Sequence, residues 1–144
     1  MLKLTKKADY GLIALKHLAV HGMEGSSAKD IASAYGIPLP LLAKVLQKLT
    51  RQGFLLSVQG TNGGYKLKRD PREISALEVI RAIDGPVFLT SCVTARGECF
   101  QSSKCSVREP LRKVHEGILG LLAGITILDA SENPAGEFIK VQER

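Results

Sequence analysis

SAKDIASAYGIPLPLLAKVLQKLTRQGFLLSVQGTNGGYKLKR, residues 27–69, holds two helix-like runs and a hairpin-like pair in one unbroken stretch. Ser27 followed by Asp30 is a capping-box-like start, S-x-x-D, in which the hydroxyl accepts from a backbone N–H three residues on. Ile31, Ala32 and Tyr35 recur at helical spacing and are expected to face inward, with Gly36 closing the helix. Gly36 also suits a tight turn, since glycine takes the left-handed backbone without steric cost. After IPLP, a second run extends from about Leu39 or Pro40 to Gln52. Its Leu42, Val45, Leu46 and Leu49 fall at i, i+3, i+4, i+7, and Lys44, Gln47, Lys48 and Arg51 take the opposite face. FLLSV (54–58) and YKLKR (65–69), either side of QGTNGG, read as two short strands around a Gly/Asn turn.

Working outward, Thr5 can cap a first helix reaching about His21, with Tyr10, Ile13, Ala14 and Leu18 on its apolar face. Ser75 with Glu78 is a capping box for a fourth helix that ends near Asp84, before Gly85 and Pro86. Helix, helix, turn, helix, hairpin is the order of a winged helix-turn-helix. The expected fold is mainly α with a small β-hairpin, completed by a long C-terminal helix. The expected divisions are a DNA-binding unit over 1–86, a cysteine-containing loop over 87–106, a dimerisation helix over 107–130 and a flexible tail over 131–144.

In such a module the helix after the turn enters the major groove through its N-terminal half. That places Leu39, Pro40, Leu41, Ala43 and Lys44 near base edges, with Leu41 suited to a thymine methyl and Lys44 to a guanine or a phosphate. Lys48 and Arg51, further along, are expected at phosphates. For any one of these cations a solvated helix face is an equal reading; the set, followed by a basic hairpin, favours DNA. In the hairpin tip, glycines let backbone N–H groups approach phosphates, and Gln59 and Asn62 can read a minor groove. A plain turn is the alternative. Ser27, Lys29, Thr61, Gly63 and Tyr65 complete the expected DNA-contacting set.

Charge agrees with this division. The net +6 is uneven: residues 1–72 carry twelve Lys or Arg against four Asp or Glu, and residues 73–144 carry eight against ten. Only the front half is thus expected to meet a polyanion. With 144 residues, 44% hydrophobic and 24% charged, the composition is that of an ordinary globular protein. The start of the chain lacks the apolar core of a signal peptide. The longest apolar run, GILGLLAGITIL (117–128), is too short to span a bilayer. A cytoplasmic protein with no membrane contact is expected.

The back half adds two features. Leu111, Val114, Ile118, Leu121 and Ile125 alternate by three and four in a heptad-like seam on the expected last helix, from between Ser106 and Pro110 to near Ile125. Gly117, Gly120 and Gly124 would each cost roughly 1 kcal/mol relative to Ala inside a helix, and close helix–helix approach would explain them. A homodimer is therefore expected, which also suits palindromic half-sites. The three cysteines, Cys92, Cys99 and Cys105, all lie in SCVTARGECFQSSKCS (91–106). The tight C-x2-C pairs of structural zinc are absent. Iron–sulfur clusters tolerate wider spacings, and Arg96, Lys104 and Arg108 would favour thiolates. From spacing alone, an iron–sulfur cluster, a thiol redox switch, a zinc site and free cysteines all stay open. No paired Cys–His arrangement suggests a nucleophilic enzyme; His17, His21 and His115 read as surface or interface residues.

LTKKADYGLIAL (4–15), DIASAYGIP (30–38), LLAKVLQKL (41–49), GGYKLKR (63–69) and EISALEVIRAIDGP (73–86), with the cysteine loop, carry a resemblance over about residues 1–128. The chain resembles the Rrf-type family of dimeric winged-helix transcriptional regulators. The resemblance implies a homodimer that crosses its long C-terminal helices and binds double-stranded operator DNA, usually as a repressor. It also implies an iron–sulfur cluster on Cys92, Cys99 and Cys105. Where some members place a fourth-ligand histidine three residues past the last cysteine, this chain has Arg108. Others, the NsrR-like members, take an aspartate from the partner subunit's first helix, which matches Asp9 here; an ordinary N-terminal helix charge is the other reading of Asp9. A 4Fe–4S cluster is accordingly expected ahead of 2Fe–2S, with iron–sulfur assembly, iron supply or nitrosative stress as the regulated process. The first cysteine gap is six residues, where close relatives often have five, which leaves the cluster type open. Gln59 replaces a common wing arginine and Ala43 a recognition-helix glutamate, so the preferred operator is expected to differ. A cluster-free thiol-switch repressor is the alternative.

Overall fold

The computed structural model describes residues 4–21, 24–59, 63–87 and 108–132. Their element order is α1 (Lys6–Val20), α2 (Ala28–Tyr35), α3 (Leu39–Arg51), β1 (Leu55–Val58), β2 (Gly64–Leu67), α4 (Ala76–Asp84), α5 (Arg108–Gly124) and α6 (Ile127–Glu132). The caps read from the sequence form. The Thr5 hydroxyl accepts from the Ala8 N–H, and Ser27 and Ser75 each make a reciprocal box with Asp30 and Glu78. Gly36 ends α2 at φ 65°, in the left-handed region.

One core joins these elements. The apolar stripe of α3, Leu42, Val45, Leu46 and Leu49, packs against Ala14, Leu15 and Leu18 of α1, Ile31 of α2 and Val79, Ile80 and Ile83 of α4. Gly11 permits the closest approach: a Cβ there would collide with the Ile83 side chain. The strands pair antiparallel in the register Leu55↔Leu67 through Val58↔Gly64. Leu55 turns into the core while Leu56 stands exposed, the alternation of a two-stranded ribbon with one wet face. Arg69 closes the base of the hairpin, its guanidinium 5.2 Å from the Phe54 ring centre and 3.2 Å from Glu78.

Three expectations change. Tyr35 does not face inward: it is 47% exposed, and its hydroxyl lies 3.0 Å from His17 Nδ1. On so short a helix the last residue swings past the edge of the core and pairs with α1 instead. The expected last helix forms as α5 and ends within a residue of the expected end near Ile125, but the segment expected as helix to residue 130 is interrupted there and resumes as a separate short helix, α6. α5 stops at Gly124, so Ile125 leaves the helical seam, and its carbonyl accepts from the Ala76 N–H at 2.8 Å. Thr126 then bridges Ser75, and α6 lays Ile127, 2% exposed, into the core beside α1. His115, read as a surface or interface residue, is 8% exposed.

Candidate nucleic-acid interface

α3 presents its basic face to solvent because its apolar stripe is consumed by the core. Leu39, Pro40 and Leu41 are exposed at its N-terminal end, and Lys44 and Arg51 are exposed further along the same helix. Lys48 differs. Its half-buried side chain turns toward α4, where Nζ donates to the Ile83 carbonyl at 2.7 Å. Beside this face a cleft of about 670 Å³ is lined by Lys6, Lys7 and Tyr10 of α1, by Leu41, Lys44, Lys48 and Arg51 of α3, and by Ile83 and Asp84 of α4. Lys6 and Lys7 were not singled out from the sequence, although the KK of LTKKADY, at the helix start, is the signal that could have found them.

A second, shallower groove of about 420 Å³ separates α3 from the hairpin and is lined by Gln47, Thr50, Arg51, Ser57 and Tyr65. The hairpin is also tied to the chain that enters α2. Ser26 and Tyr65 exchange both backbone hydrogen bonds, at 3.1 and 2.8 Å, and Gly64 lies so close to Ser26 that a Cβ would strike its backbone. Gln59 is exposed at the end of β1, and Gly63 is half-buried before β2. Thr61 and Asn62 lie outside the described residues. Ser27 and Lys29 open α2, the serine committed to its cap and the lysine exposed.

A histidine cluster supports this anchor. His17 Nε2 is 3.1 Å from the Ser26 hydroxyl, and its ring stacks on His21 with centroids 4.3 Å apart. Burial, and then the like charge of His21, hold the His17 imidazole below its ordinary value, against the opposing pull of Asp30. A neutral ring can accept from one hydroxyl and donate to the other; a protonated ring can only donate.

Cys92, Cys99 and Cys105 lie outside the described residues. Among the described residues no three His, Cys, Asp or Glu side chains converge as a metal site. Asp9 stands exposed on α1, and no hydrogen bond or ion pair among the described residues engages its carboxylate. Along α5, Val114 is 51% and Leu121 is 70% exposed. Among the described residues a Cβ at Gly117, Gly120 or Gly124 would meet nothing, so they leave this face of α5 open. Among the described residues no helix is long and apolar enough to cross a membrane.

A cationic α3 after a Gly turn, flanked by a hairpin wing, defines a winged helix-turn-helix of the DNA-binding class. The chain belongs to the Rrf2 family, described as an iron-dependent transcriptional regulator, which it matches over residues 4–133. It is 34% identical over 133 residues to the regulator IscR of Serratia proteamaculans, covering 92% of this chain and 80% of that one. It is 32% identical over 145 residues to the regulator NsrR of Geobacillus kaustophilus, covering 99% of each. The solved structure of CymR, the global cysteine regulator of B. subtilis, superposes with a TM-score of 0.80 at 28% identity, covering 92% of this chain and 98% of that one. The protein is a DNA-binding transcriptional regulator, and the relatives are regulators rather than enzymes.

Proposed function

We propose that the protein is a homodimeric, cytoplasmic repressor whose grip on operator DNA is set by one iron–sulfur cluster per subunit. The observation that carries this reading is the unengaged carboxylate of Asp9, exposed on α1, in a chain whose three cysteines crowd into residues 92–105. Three thiolates suit iron, and one carboxylate completes a four-ligand set. Asp9 of the partner subunit is the proposed fourth ligand. A hard oxygen ligand leaves more readily than a thiolate, so such a cluster supplies a reversible response to iron, oxidants or nitric oxide; 4Fe–4S is favoured over 2Fe–2S. The family description as iron-dependent supports the same reading.

The working parts are a DNA-reading unit over 1–86, a cluster-binding stretch over 87–106 and a dimerisation segment over 107–130. Leu39, Pro40, Leu41 and Lys44 address base edges, and Lys29, Arg51 and the wing residues Gln59, Thr61, Asn62, Gly63 and Tyr65 flank them. Ser27 keeps α2 in register. Leu111, Val114, Ile118 and Leu121 supply the dimer seam, and the open glycine face of α5 allows a second helix to approach closely. Ile125, beyond the helix end, supports the seam from the turn into α6.

Anaerobic reconstitution followed by visible absorption and iron and sulfide analysis tests the cluster. Colourless, iron-free protein after reconstitution rejects it. An Asp9→Ala spectrum and stability identical to wild type rejects the fourth ligand. A cluster-free thiol switch is the second reading, favoured by the close likeness in fold to a cysteine regulator. It requires a reversible disulfide that alters DNA binding in iron-free protein.

A further inference from the structure

The end of α4 is gripped by two other helices. Lys48 of α3 places Nζ 2.7 Å from the Ile83 carbonyl. Thr5 donates its hydroxyl to the Asp84 carboxylate, at 2.7 and 2.9 Å from the two oxygens. The last carbonyls of a helix have no partner within it and form its negative pole, so an ammonium is well placed there. Ile83 is itself buried between α1 and α3, wedged against Gly11. At Gly85, φ 80°, the chain turns out of α4 and leads toward the segment that carries the three cysteines. The same Thr5 oxygen accepts from the Ala8 N–H, so the grip also reaches the first turn of α1, beside Asp9.

We propose that Lys48 is a positioning residue and not a phosphate contact: it fastens the recognition helix to the end of α4 and so couples the cysteine-bearing segment to DNA. To reach a phosphate, this ammonium would have to abandon a part-buried carbonyl. Lys44 and Arg51, exposed on the same helix, can meet DNA without that loss. A change at the root of the segment, residues 83–85, must either carry α3 with it or break the Lys48 contact. Coupling free energy is reciprocal, so DNA on α3 must alter the segment in return. The inference rests on the proposed function for what the segment binds, but not for the coupling itself.

The test uses the full chain, metal-free and reduced, so that it does not depend on a cluster. The probe is duplex DNA selected by the wild-type protein from a random pool. Thiol alkylation of the three cysteines by N-ethylmaleimide is timed with and without the duplex, for wild type, Lys48→Met and Lys48→Arg. DNA is expected to change the wild-type rate about 5-fold or more. Methionine, which keeps the apolar stem, abolishes the change; arginine, which can still donate to Ile83, restores it. The salt dependence of DNA binding stays at the wild-type slope in Lys48→Met. A slope reduced by about 0.9 would make Lys48 a phosphate contact and overturn the proposal. So would a Lys48→Met protein whose thiols still respond to DNA as wild type does, or a wild type that does not respond. Asp84→Ala, at an exposed position, breaks the Thr5 arm independently and is expected to weaken the response; an unchanged response counts against the grip. Iron and sulfide content after anaerobic reconstitution is read separately, so loss of the cluster reading leaves the alkylation arms decisive.

Discussion

Tyr65 of the hairpin and Ser26 at the entry to α2 hold each other by a reciprocal pair of backbone hydrogen bonds, 2.8 Å from Tyr65 N and 3.1 Å from Ser26 N. The wing is therefore fastened, through β2, to the chain that enters α2. Gly64 makes the approach possible, since a Cβ would meet the Ser26 carbonyl, a backbone atom that cannot rotate away. Gly64→Ala is expected to cost about 1–3 kcal/mol, the range for forced overpacking, and to weaken DNA binding by releasing the wing. Urea unfolding and fluorescence anisotropy with duplex DNA measure both. Stability and affinity at wild-type levels would show that the wing does not need this anchor.

The other support of Ser26 titrates. Burial first, and then the charge of His21, lower the His17 imidazole, with Asp30 opposing. Unfolded, the ring returns to about 6.5. Between the lowered folded value and about 6.5 the unfolded chain binds more protons, so stability is complete above that window and falls as pH drops through it. His17→Gln keeps polar atoms for Ser26 and Tyr35 but cannot titrate. Wild type is expected to lose more stability than His17→Gln on acidification from about pH 7 to about pH 5, by chemical denaturation at each pH. Parallel profiles would assign the acid sensitivity elsewhere.

Ile127 ties the C-terminal segment to the DNA-reading unit. It is 2% exposed and packs in the core with α1, and its N–H donates to the Ile74 carbonyl at 2.9 Å. Ile127→Ala is expected to destabilise the protein by about 2–5 kcal/mol through the lost burial and the cavity left behind. A loss under about 1 kcal/mol in urea unfolding would mean that α6 is only loosely docked.

α6 also shows where sequence reading ends. Thr5, Ser27 and Ser75 could be read because a cap is a local bond, satisfied within one turn whatever the rest of the chain does. The stripe of α3 could be read because one helix face alone must meet the core. By the same logic α6 had a legible start: Thr126 and Asp129 form their own reciprocal pair, at 3.0 and 3.2 Å. It was hidden by the apolar run 117–128, which continues the α5 seam through the break. Tyr35 and Lys48 were illegible for a different reason. Each sits at a position whose helical spacing allows two directions, and the partner that decides, His17 or the end of α4, lies on another element.

Val114 and Leu121 stand on an open face of α5 that the rest of the described chain does not cover. If this face pairs with a second copy, a charge there must remain buried or separate the subunits, whereas in a monomer it would sit in water. The double change Val114→Glu, Leu121→Lys is avoided because its two charges could pair; Leu121→Glu alone places a like charge on both copies. Sedimentation velocity is expected to show dissociation to monomer, with little change in far-UV circular dichroism. A Leu121→Glu protein that stays dimeric would place the dimer contact on another surface.

Lys44 and Arg51 separate reading from holding. Lys44 lies one turn before Lys48, next to the exposed Leu41 near the N-terminal end of α3, whereas Arg51 lies at the far end and borders both grooves. A base-edge contact distinguishes sequences; a phosphate contact does not. Lys44→Ala is therefore expected to cost about 1–3 kcal/mol on the preferred duplex and to relax selectivity at one base position. Arg51→Ala is expected to weaken all duplexes alike and to lower the salt slope by about 0.9. Anisotropy titrations at several salt concentrations, on the selected duplex and on a scrambled one, read the two effects together. If Lys44→Ala instead lowers affinity equally for both duplexes with the reduced slope, Lys44 holds the backbone, and base reading falls to the apolar end formed by Leu39, Pro40 and Leu41.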